Sequence, residues 1–303
     1  MNEPHYHIPA LLPEVIDALQ IRPEGVYVDA TFGGGGHTRA IMEKLGENGH
    51  IYSFDQDQDA VARAFSDERF TIVHGNFRYL SNFLRYYGVG QVDGILADLG
   101  VSFHHFDDSE RGFSFRFSGA LDMRMNRKAS LTAADILATY PEQKLGELFT
   151  LYGELKQGRR LAAAIVKMRN EGSQVTTVEQ LRDAAMRFIS PKHEKKEMAM
   201  VFQALRIEVN SEMQALQKFL EQTLKVLRPG GRLAIITYHS LEDRLVKNFI
   251  KSGNIAGEVQ KDFYGVVHSP LKAVGNKPVV PTQEEVERNP RSRSAKLRVA
   301  EKL

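Results

Sequence analysis

Residues 26–38 read Val26-Tyr27-Val28-Asp29-Ala30-Thr31-Phe32-Gly33-Gly34-Gly35-Gly36-His37-Thr38, a short β-branched run followed at once by a glycine loop and the start of a helical pattern. Glycines allow the bare backbone to approach a ligand closely at the beginning of a helix. Parallel sheets that bind nucleotide-like ligands use this succession of strand, loop and helix. The stretch therefore predicts an α/β fold with a ligand site at the end of its first strand.

The glycine loop departs from the fingerprint of dinucleotide-binding enzymes. That fingerprint needs a third glycine where the helix packs on the strand. Gly33-x-Gly35 is followed by Thr38 at that position, and Gly34-x-Gly36 is followed by Arg39. A nucleotide-binding oxidoreductase is therefore an alternative that the loop disfavours.

Further β-branched runs alternate with helical patterns, which predicts a parallel sheet covered by helices. The predicted strands are Val26–Ala30, Ile51–Asp55, Phe70–Gly75, Val92–Asp98, Arg232–Tyr238 and, closing the sheet, Ala295–Val299. The long gap between the fourth and fifth runs far exceeds the length of one crossover helix. A second structural element is therefore inserted there.

The inserted stretch has helical periodicity and no strand signals. Its predicted helices are Pro141–Tyr152, Leu155–Arg169, Val178–Ile189 and a long pattern over Glu194–Leu227. We predict three segments: the sheet domain's first part at 1–111, an all-helical inserted domain at 112–197, and the sheet domain's second part at 198–303.

Two aspartates end predicted strands at the edge where doubly wound sheets bind ligands. Asp55 follows Gly35 by 20 residues, a spacing that suits a carboxylate accepting hydrogen bonds from two ribose hydroxyls. Asp98 ends the fourth strand, where it could position an amine or a hydroxyl. A helix-capping role is the alternative for both residues. After the fifth strand, Ser240-x-x-Asp243 predicts a capping box.

Composition excludes several classes of protein. No apolar run approaches the roughly 18 residues of a membrane span, and the start of the chain lacks an export signal, so we expect a cytoplasmic protein with no membrane partner. The chain has no cysteine, which excludes disulfides, thiolate metal sites and a cysteine nucleophile; we predict no metal site.

The basic residues are concentrated in the middle of the chain. From Arg111 to Leu205, 16 lysines and arginines face 10 acidic residues, a net of +6, whereas the remainder carries −4. This imbalance is typical of a surface that contacts nucleic-acid phosphates, and equally of a solvated helical face. The candidate contacts are Arg159, Arg160, Lys195 and Lys196.

Seven sequence blocks carry a more specific resemblance. They are Thr31-Phe32-Gly33-Gly34-Gly35-Gly36-His37, Asp93-Gly94-Ile95-Leu96-Ala97-Asp98-Leu99-Gly100-Val101-Ser102, Glu110-Arg111-Gly112-Phe113-Ser114-Phe115, Leu121-Asp122-Met123-Arg124-Met125, Arg206-Ile207-Glu208-Val209-Asn210-Ser211-Glu212, Tyr238-His239-Ser240-Leu241-Glu242-Asp243-Arg244 and Asn289-Pro290-Arg291-Ser292-Arg293-Ser294-Ala295-Lys296-Leu297-Arg298. In order and spacing they resemble the blocks of the bacterial RsmH family, also called MraW, over essentially the whole chain.

The resemblance implies a function and a fold. The family uses S-adenosylmethionine to methylate the exocyclic N4 of a decoding-centre cytidine of 16S ribosomal RNA, the one usually numbered 1402. Its fold is a Rossmann-like methyltransferase sheet with an inserted helical domain. The expected partner is therefore 16S ribosomal RNA, within the 30S subunit or as naked RNA, and the oligomeric state is left open.

The resemblance also implies the cofactor contacts. It makes Gly35, Gly36 and His37 contacts of S-adenosylmethionine, with Asp55 on the ribose and Phe77 beside the adenine.

Further roles lie at the reactive end. The resemblance places Asp98 there as a cofactor contact, and we expect it to accept the hydrogens of the target amine. The family usually has Ser-Ser-Pro-Gln where this chain has Ser102-Phe103-His104-His105, so the glutamine contact falls to His105. Asn210 and His239 are candidates for holding the base edge, with a structural role as the alternative for each.

Without the resemblance, three other functions stay open. The chain could methylate the N4 or N6 amine of another RNA or of DNA, because its residue chemistry does not read a 2′-hydroxyl. It could be a nucleotide-binding oxidoreductase. It could also be a non-catalytic RNA-binding protein, which would explain the basic insertion but not the ligand-type residues at adjacent strand ends.

Overall fold

A computed structural model describes residues 9–100, 108–261, 263–264 and 267–303. The chain divides into two compact units. Unit one comprises residues 1–100 and 214–303, and unit two comprises residues 101–213.

The described strands of unit one form a seven-stranded mixed sheet and a separate two-stranded pair. They are β1 (Val26–Asp29), β2 (His50–Asp55), β3 (Phe70–His74), β4 (Val92–Asp98), β5 (Leu227–Thr237), β6 (Gln260–Lys261), β7 (Val267–His268), β8 (Leu271–Val279) and β9 (Lys296–Lys302). Among the described residues the main sheet has the order β3-β2-β1-β4-β5-β9-β8, and β6 pairs with β7 separately. Strands β1 to β5 run parallel, whereas β9 is antiparallel to β5 and to β8.

The sheet confirms the predicted Rossmann-like α/β class. The strand order reverses between β1 and β4, so the carboxyl ends of these two strands flank the crevice where open α/β sheets bind ligands. Strand β8 was not predicted, because residues 272–277 are all exposed and offer no apolar run. An edge strand that leaves both faces to solvent carries no hydrophobic pattern to read.

The helices lie between these strands and in unit two. They are α1 (Leu12–Leu19), α2 (Gly36–Met42), α3 (Gln58–Val61), α4 (Leu80–Tyr86), α5 (Ala133–Thr139), α6 (Glu142–Leu151), α7 (Gly158–Asn170), α8 (Val178–Met186), α9 (Glu194–Val209), α10 (Glu212–Val226), α11 (Ser240–Ser252) and α12 (Gln283–Arg288). None of the helices in the described part of the chain combines the length and the apolar composition needed to cross a bilayer.

Strand β4 shows why the sheet is covered on both faces. Its first six residues are all buried. Ile95 and Ala97 belong to one hydrophobic cluster, whereas Leu96 belongs to another. Because successive side chains of a strand point to opposite faces, these two clusters are the cores on the two sides of the sheet.

Unit two is helical in its described part and has its own core. Helices α5 to α9 share one cluster that includes Phe149, Leu161 and Leu181. The pattern predicted over residues 194–227 forms two helices, separated at Asn210 and Ser211, where Ser211 has a φ of 50°.

The predicted division of the chain at 111/112 and 197/198 stays a prediction. The insertion expected at 112–197 lies inside unit two. Helix α9 crosses the second boundary, and its buried residues Met198, Phe202 and Leu205 pack in the helical core.

Candidate active site

Four polar residues lie at the carboxyl ends of neighbouring parallel strands. Asp29 ends β1, Asp55 ends β2, Asp98 ends β4, and Tyr238 follows β5. Since these strands are parallel and adjacent, the four residues lie along one edge of the sheet, where the predicted ligand site was placed.

Asp29 organises the glycine loop. Its carboxylate accepts hydrogen bonds from the Thr31 amide at 3.1 Å and from the Thr38 hydroxyl at 2.7 Å, and the Thr38 hydroxyl lies 2.8 Å from Ser53 Oγ. Asp29 is completely buried, and this burial raises the pKa of its carboxyl group. Sequence reasoning missed Asp29 as a site residue, although an acid at the end of a buried strand was a usable signal.

Two glycines of the loop, Gly35 and Gly36, are required by close approach of neighbouring atoms. Gly35 has a φ of 75°, and a Cβ there would lie 2.8 Å from the Phe32 ring. A Cβ on Gly36 would lie 2.3 Å from Pro9. The loop therefore presents bare backbone at the start of α2, as a close approach to a ligand requires.

Asp55 is held at the end of β2 by backbone donors. One carboxylate oxygen accepts from the Gly33 amide at 2.9 Å and the other from the Asp57 amide at 2.8 Å. A carboxylate offers about four acceptor positions, so these bonds orient the group and are compatible with hydroxyl donors from a ribose.

Phe77 lies in a short turn after β3. The ring is partly buried and packs edge-to-face against Phe219, with the ring centroids 5.2 Å apart. Asn76 caps this turn and donates to Gln56 at 2.7 Å, which links the ends of β2 and β3. The ring is thus fixed three residues after His74, which pairs with Asp55 in the sheet, and there it can contact a flat base.

Asp98 lies beside three neighbours from different elements. Its amide donates to the Thr31 hydroxyl at 2.7 Å. The Tyr238 hydroxyl donates to Asp98 Oδ1 at 2.8 Å. His37 Nδ1 lies 3.8 Å from Asp98 Oδ2. The structure thus brings together two predicted residues, Asp98 and His37, and one that sequence reasoning had not assigned, Tyr238.

The protonation of this group follows from its burial. Burial raises the pKa of Asp98 to about 6, although 23% of its side chain remains exposed, and the hydrogen bond from the Tyr238 hydroxyl partly offsets the shift. Burial lowers the pKa of His37 from 6.5, so this imidazole is neutral at pH 7.

The tautomer of His37 has a consequence for the ligand. His37 Nε2 lies 3.0 Å from the Ala10 carbonyl, which can only accept, so Nε2 carries the proton. Nδ1 therefore turns a lone pair toward the Asp98 carboxylate. Two facing acceptors fit a ligand group that is cationic or rich in N–H donors.

His239 caps a helix. Its side chain accepts from the Glu242 amide at the start of α11, and its Nε2 lies 3.1 Å from Glu242 Oε1. Glu242 is buried and accepts from the Tyr238 amide at 2.9 Å. The predicted capping box at Ser240 and Asp243 was wrong by one residue, because Asp243 instead binds Arg298. These contacts favour the structural alternative for His239.

Asn210 is held by contacts within unit two. Asn210 lies in unit two, where its side chain accepts from the Met125 amide at 2.8 Å and donates to the carbonyls of Met123 at 2.8 Å and Arg206 at 2.9 Å. Met123 has a φ of 62°, so Asn210 holds a strained loop, which favours a structural role. His105 falls outside the described residues, and its contact remains a prediction.

Comparison with known proteins identifies close relatives. The model described as the MraW methylase family matches residues 4–303. The chain is similar to proteins named ribosomal RNA small subunit methyltransferase H. It is 60% identical to the one from Phocaeicola vulgatus over 98% of this chain and 97% of the relative. It is 60% identical to that from Parabacteroides distasonis over 98% of each, and 58% identical to that from Bacteroides thetaiotaomicron over 99% of each.

We predict that Asp55→Ala weakens binding of the expected S-adenosylmethionine by roughly 1.5–3 kcal/mol, about tenfold or more, because charge-assisted hydrogen bonds to two hydroxyls are lost. Asp55→Asn keeps one acceptor oxygen and should lose less. Asp59→Ala removes an equal charge from the exposed start of α3 and serves as the control. Isothermal titration calorimetry measures all three, and wild-type affinity in a folded Asp55→Ala variant would remove the residue from the site.

A second prediction concerns pH. Asp98 titrates at a pKa of about 6, so it is ionised at pH 7 and protonated below pH 6. A protonated carboxyl attracts a cation weakly. Between pH 7 and 5 the dissociation constant of S-adenosylmethionine should therefore rise, approaching about tenfold per pH unit below the break.

Tyr238→Phe tests the source of that pH dependence. It removes a donor that stabilises the ionised carboxyl, so the break should move to higher pH. Asp98→Asn should abolish the break. A break at the same pH in wild type and Tyr238→Phe would show that Tyr238 does not act on Asp98.

Proposed function

The chain belongs to the MraW methylase family, and on this premise we propose that it transfers a methyl group from S-adenosylmethionine to the exocyclic N4 of a decoding-centre cytidine of 16S ribosomal RNA. The observation that carries the proposal is Asp98, which accepts a hydrogen bond from the Tyr238 hydroxyl and faces His37 at the same sheet edge as the glycine loop and Asp55. The 60% identity to relatives named small-subunit methyltransferases supports the substrate class.

The residues at the sheet edge suit each part of the cofactor. Gly35 and Gly36 would bring bare backbone to it, Asp55 would accept the ribose hydroxyls, and Phe77 would lie beside the adenine. The facing acceptors of Asp98 and His37 suit its cationic end. When bound, S-adenosylmethionine supplies an electrophilic methyl group on a sulfonium.

The chemistry of the chain favours an amine as the acceptor. Methylation of carbon 5 of cytosine proceeds through a cysteine adduct, and this chain has no cysteine. The lone pair of an exocyclic amine is delocalised into the ring, so the enzyme must hold the amine in line and accept its hydrogens. Asp98 and the neighbouring Leu99 carbonyl are the acceptors that we assign to this task. The nitrogen would gain the methyl group as the sulfonium–methyl bond breaks and a neutral thioether leaves. Asp98 would take the proton that the nitrogen loses and pass it to solvent, while the Leu99 carbonyl would accept a hydrogen bond from the remaining N–H.

The position after the glycine loop argues against a dinucleotide cofactor. Thr38 stands where the third glycine of the dinucleotide fingerprint would be, and its hydroxyl is buried between Asp29 and Ser53. The hydrogen bonds of this threonine help to fix the conformation of the loop. A dinucleotide-binding oxidoreductase needs a glycine here so that the helix can pack closely on the strand, and this chain does not have it.

We propose that the substrate is presented by the 30S subunit, in the cytoplasm, and that unit two contributes to binding. Arg159, Arg160, Lys195 and Lys196 are all exposed, as phosphate contacts must be. They lie in the segment of the chain with a net charge of +6.

The test is a methyl-transfer assay on 30S subunits, and on naked 16S RNA, from a strain that lacks this family's enzyme, with the product mapped by mass spectrometry. We expect N4-methylcytidine at a single decoding-centre position. A product methylated at carbon 5, or no transfer to ribosomal RNA in either form, would contradict the proposal.

Asp98→Ala should lower the single-turnover rate by on the order of a hundredfold or more at saturating S-adenosylmethionine, because the acceptor of the amine hydrogens is lost. Saturation separates this effect from weaker cofactor binding. RNA binding, measured by filter retention, should be largely retained. A near-normal rate under these conditions would remove Asp98 from the catalytic role.

A further inference from the structure

A segment at the substrate edge of unit one has no role in the site described so far. Residues 280–295 connect β8 to β9. Val279 pairs with Leu297, and Lys296 pairs with Thr237, the last residue of β5. The connection therefore lies at the carboxyl edge of the sheet, the edge that holds Asp98 and Tyr238.

Contacts with the N-terminal part of unit one place this segment close to His37. The Glu285 carboxylate on α12 accepts from the Leu11 amide at 2.8 Å. The carbonyl of the preceding residue, Ala10, holds His37 Nε2. Burial raises the pKa of Tyr238 well above its ordinary value, and the carboxylates of Asp98, Glu242 and Glu285 add to the shift. Helix α12 thus lies beside the proposed catalytic group.

The end of the segment is ordered by a buried serine. Residues Pro290–Ser294 form a short helical turn. The Ser292 side chain is fully buried and donates to the Asn289 carbonyl at 2.8 Å, while the Ala295 amide donates to the Ser292 carbonyl at 2.7 Å. Because Ser292 points inward, its neighbours Arg291 and Arg293 are both turned to solvent.

The charged residues at positions 288–300 are all basic. From Arg288 to Ala300 the chain holds five basic residues and no acidic one, whereas Glu284 and Glu287 precede it on α12. Two of the five, Lys296 and Arg298, bind Asp243. The side chains at positions 288, 291 and 293 are exposed to solvent, whatever their contacts within the protein.

We propose that Arg288, Arg291 and Arg293 bind backbone phosphates of the RNA next to the target nucleotide. The inference rests on the proposed function and adds a second RNA-contacting surface, in unit one. A guanidinium matches the geometry of a phosphate with two parallel N–H donors. A base presented to Asp98 carries its flanking phosphates past this edge of the sheet, where a fixed cationic segment can hold them.

The experiment compares Arg288→Glu/Arg293→Glu with Arg85→Glu. Arg85 is an exposed arginine near the end of α4, which runs toward the opposite edge of the sheet. RNA affinity is measured by fluorescence anisotropy over a salt series, and methyl transfer on 30S subunits gives KM and kcat. Calorimetry with S-adenosylmethionine confirms that each variant is folded.

In the double variant, the slope of log affinity against log salt should flatten by about 0.7 to 1 per lost phosphate contact. KM for the subunit should rise, whereas kcat at saturation and the cofactor affinity should stay unchanged. Arg288→Gln/Arg293→Gln should show a smaller rise in KM at low salt, and Arg85→Glu should behave as wild type.

Other results would overturn the inference. A double variant with the slope and KM of Arg85→Glu would show that these arginines do not contact RNA. A change of sedimentation coefficient between wild type and the double variant would assign the surface to contacts between copies of the chain. If the wild-type protein neither binds nor methylates ribosomal RNA, the proposed function itself fails; a methylating wild type with an unaffected double variant removes this inference alone.

Discussion

The buried carboxylate of Asp29 is the constraint on which the rest of the site depends. It accepts hydrogen bonds from the Thr31 amide and the Thr38 hydroxyl, and so fixes both ends of the glycine loop. The Thr31 hydroxyl in turn accepts a hydrogen bond from the Asp98 amide. One buried acid therefore sets the path of the loop and, through Thr31, its link to the end of β4. Burying a carboxylate is costly unless hydrogen bonds compensate, and here those bonds are the ones that shape the site.

The arrangement around Asp98 has chemical consequences that the fold alone does not specify. Burial makes the carboxyl harder to ionise, and the Tyr238 hydroxyl stabilises its ionised form. Tyr238 is held through its own amide by the buried Glu242, which also forms part of the capping box that begins α11. The same contacts that start a helix thus position the donor that acts on Asp98. His239 is part of this support, which favours its structural alternative.

Much of this was predictable from the sequence, because it rests on local patterns. The parallel strands are short buried runs, and Asp55 and Asp98 stand where such runs end. The run of glycines directly predicts a loop that brings bare backbone close to a ligand. Position in the chain could not reveal Tyr238 as a partner of Asp98, since the two are 140 residues apart and meet only because β4 and β5 are neighbours. Strand β8 was missed because an exposed edge strand needs no hydrophobic pattern.

We propose that the protein surroundings of Asp98 tune its carboxylate to interact with a cation and an amine. The most direct measurement is the titration of the Asp98 side-chain carboxyl by carbon-13 NMR, assigned by comparison with Asp98→Asn. We expect the pKa of the Asp98 carboxyl group to be about 6 in the cofactor-free protein and lower when S-adenosylmethionine is bound. An ordinary value near 3.8 in the free protein, or no change on cofactor binding, would contradict it.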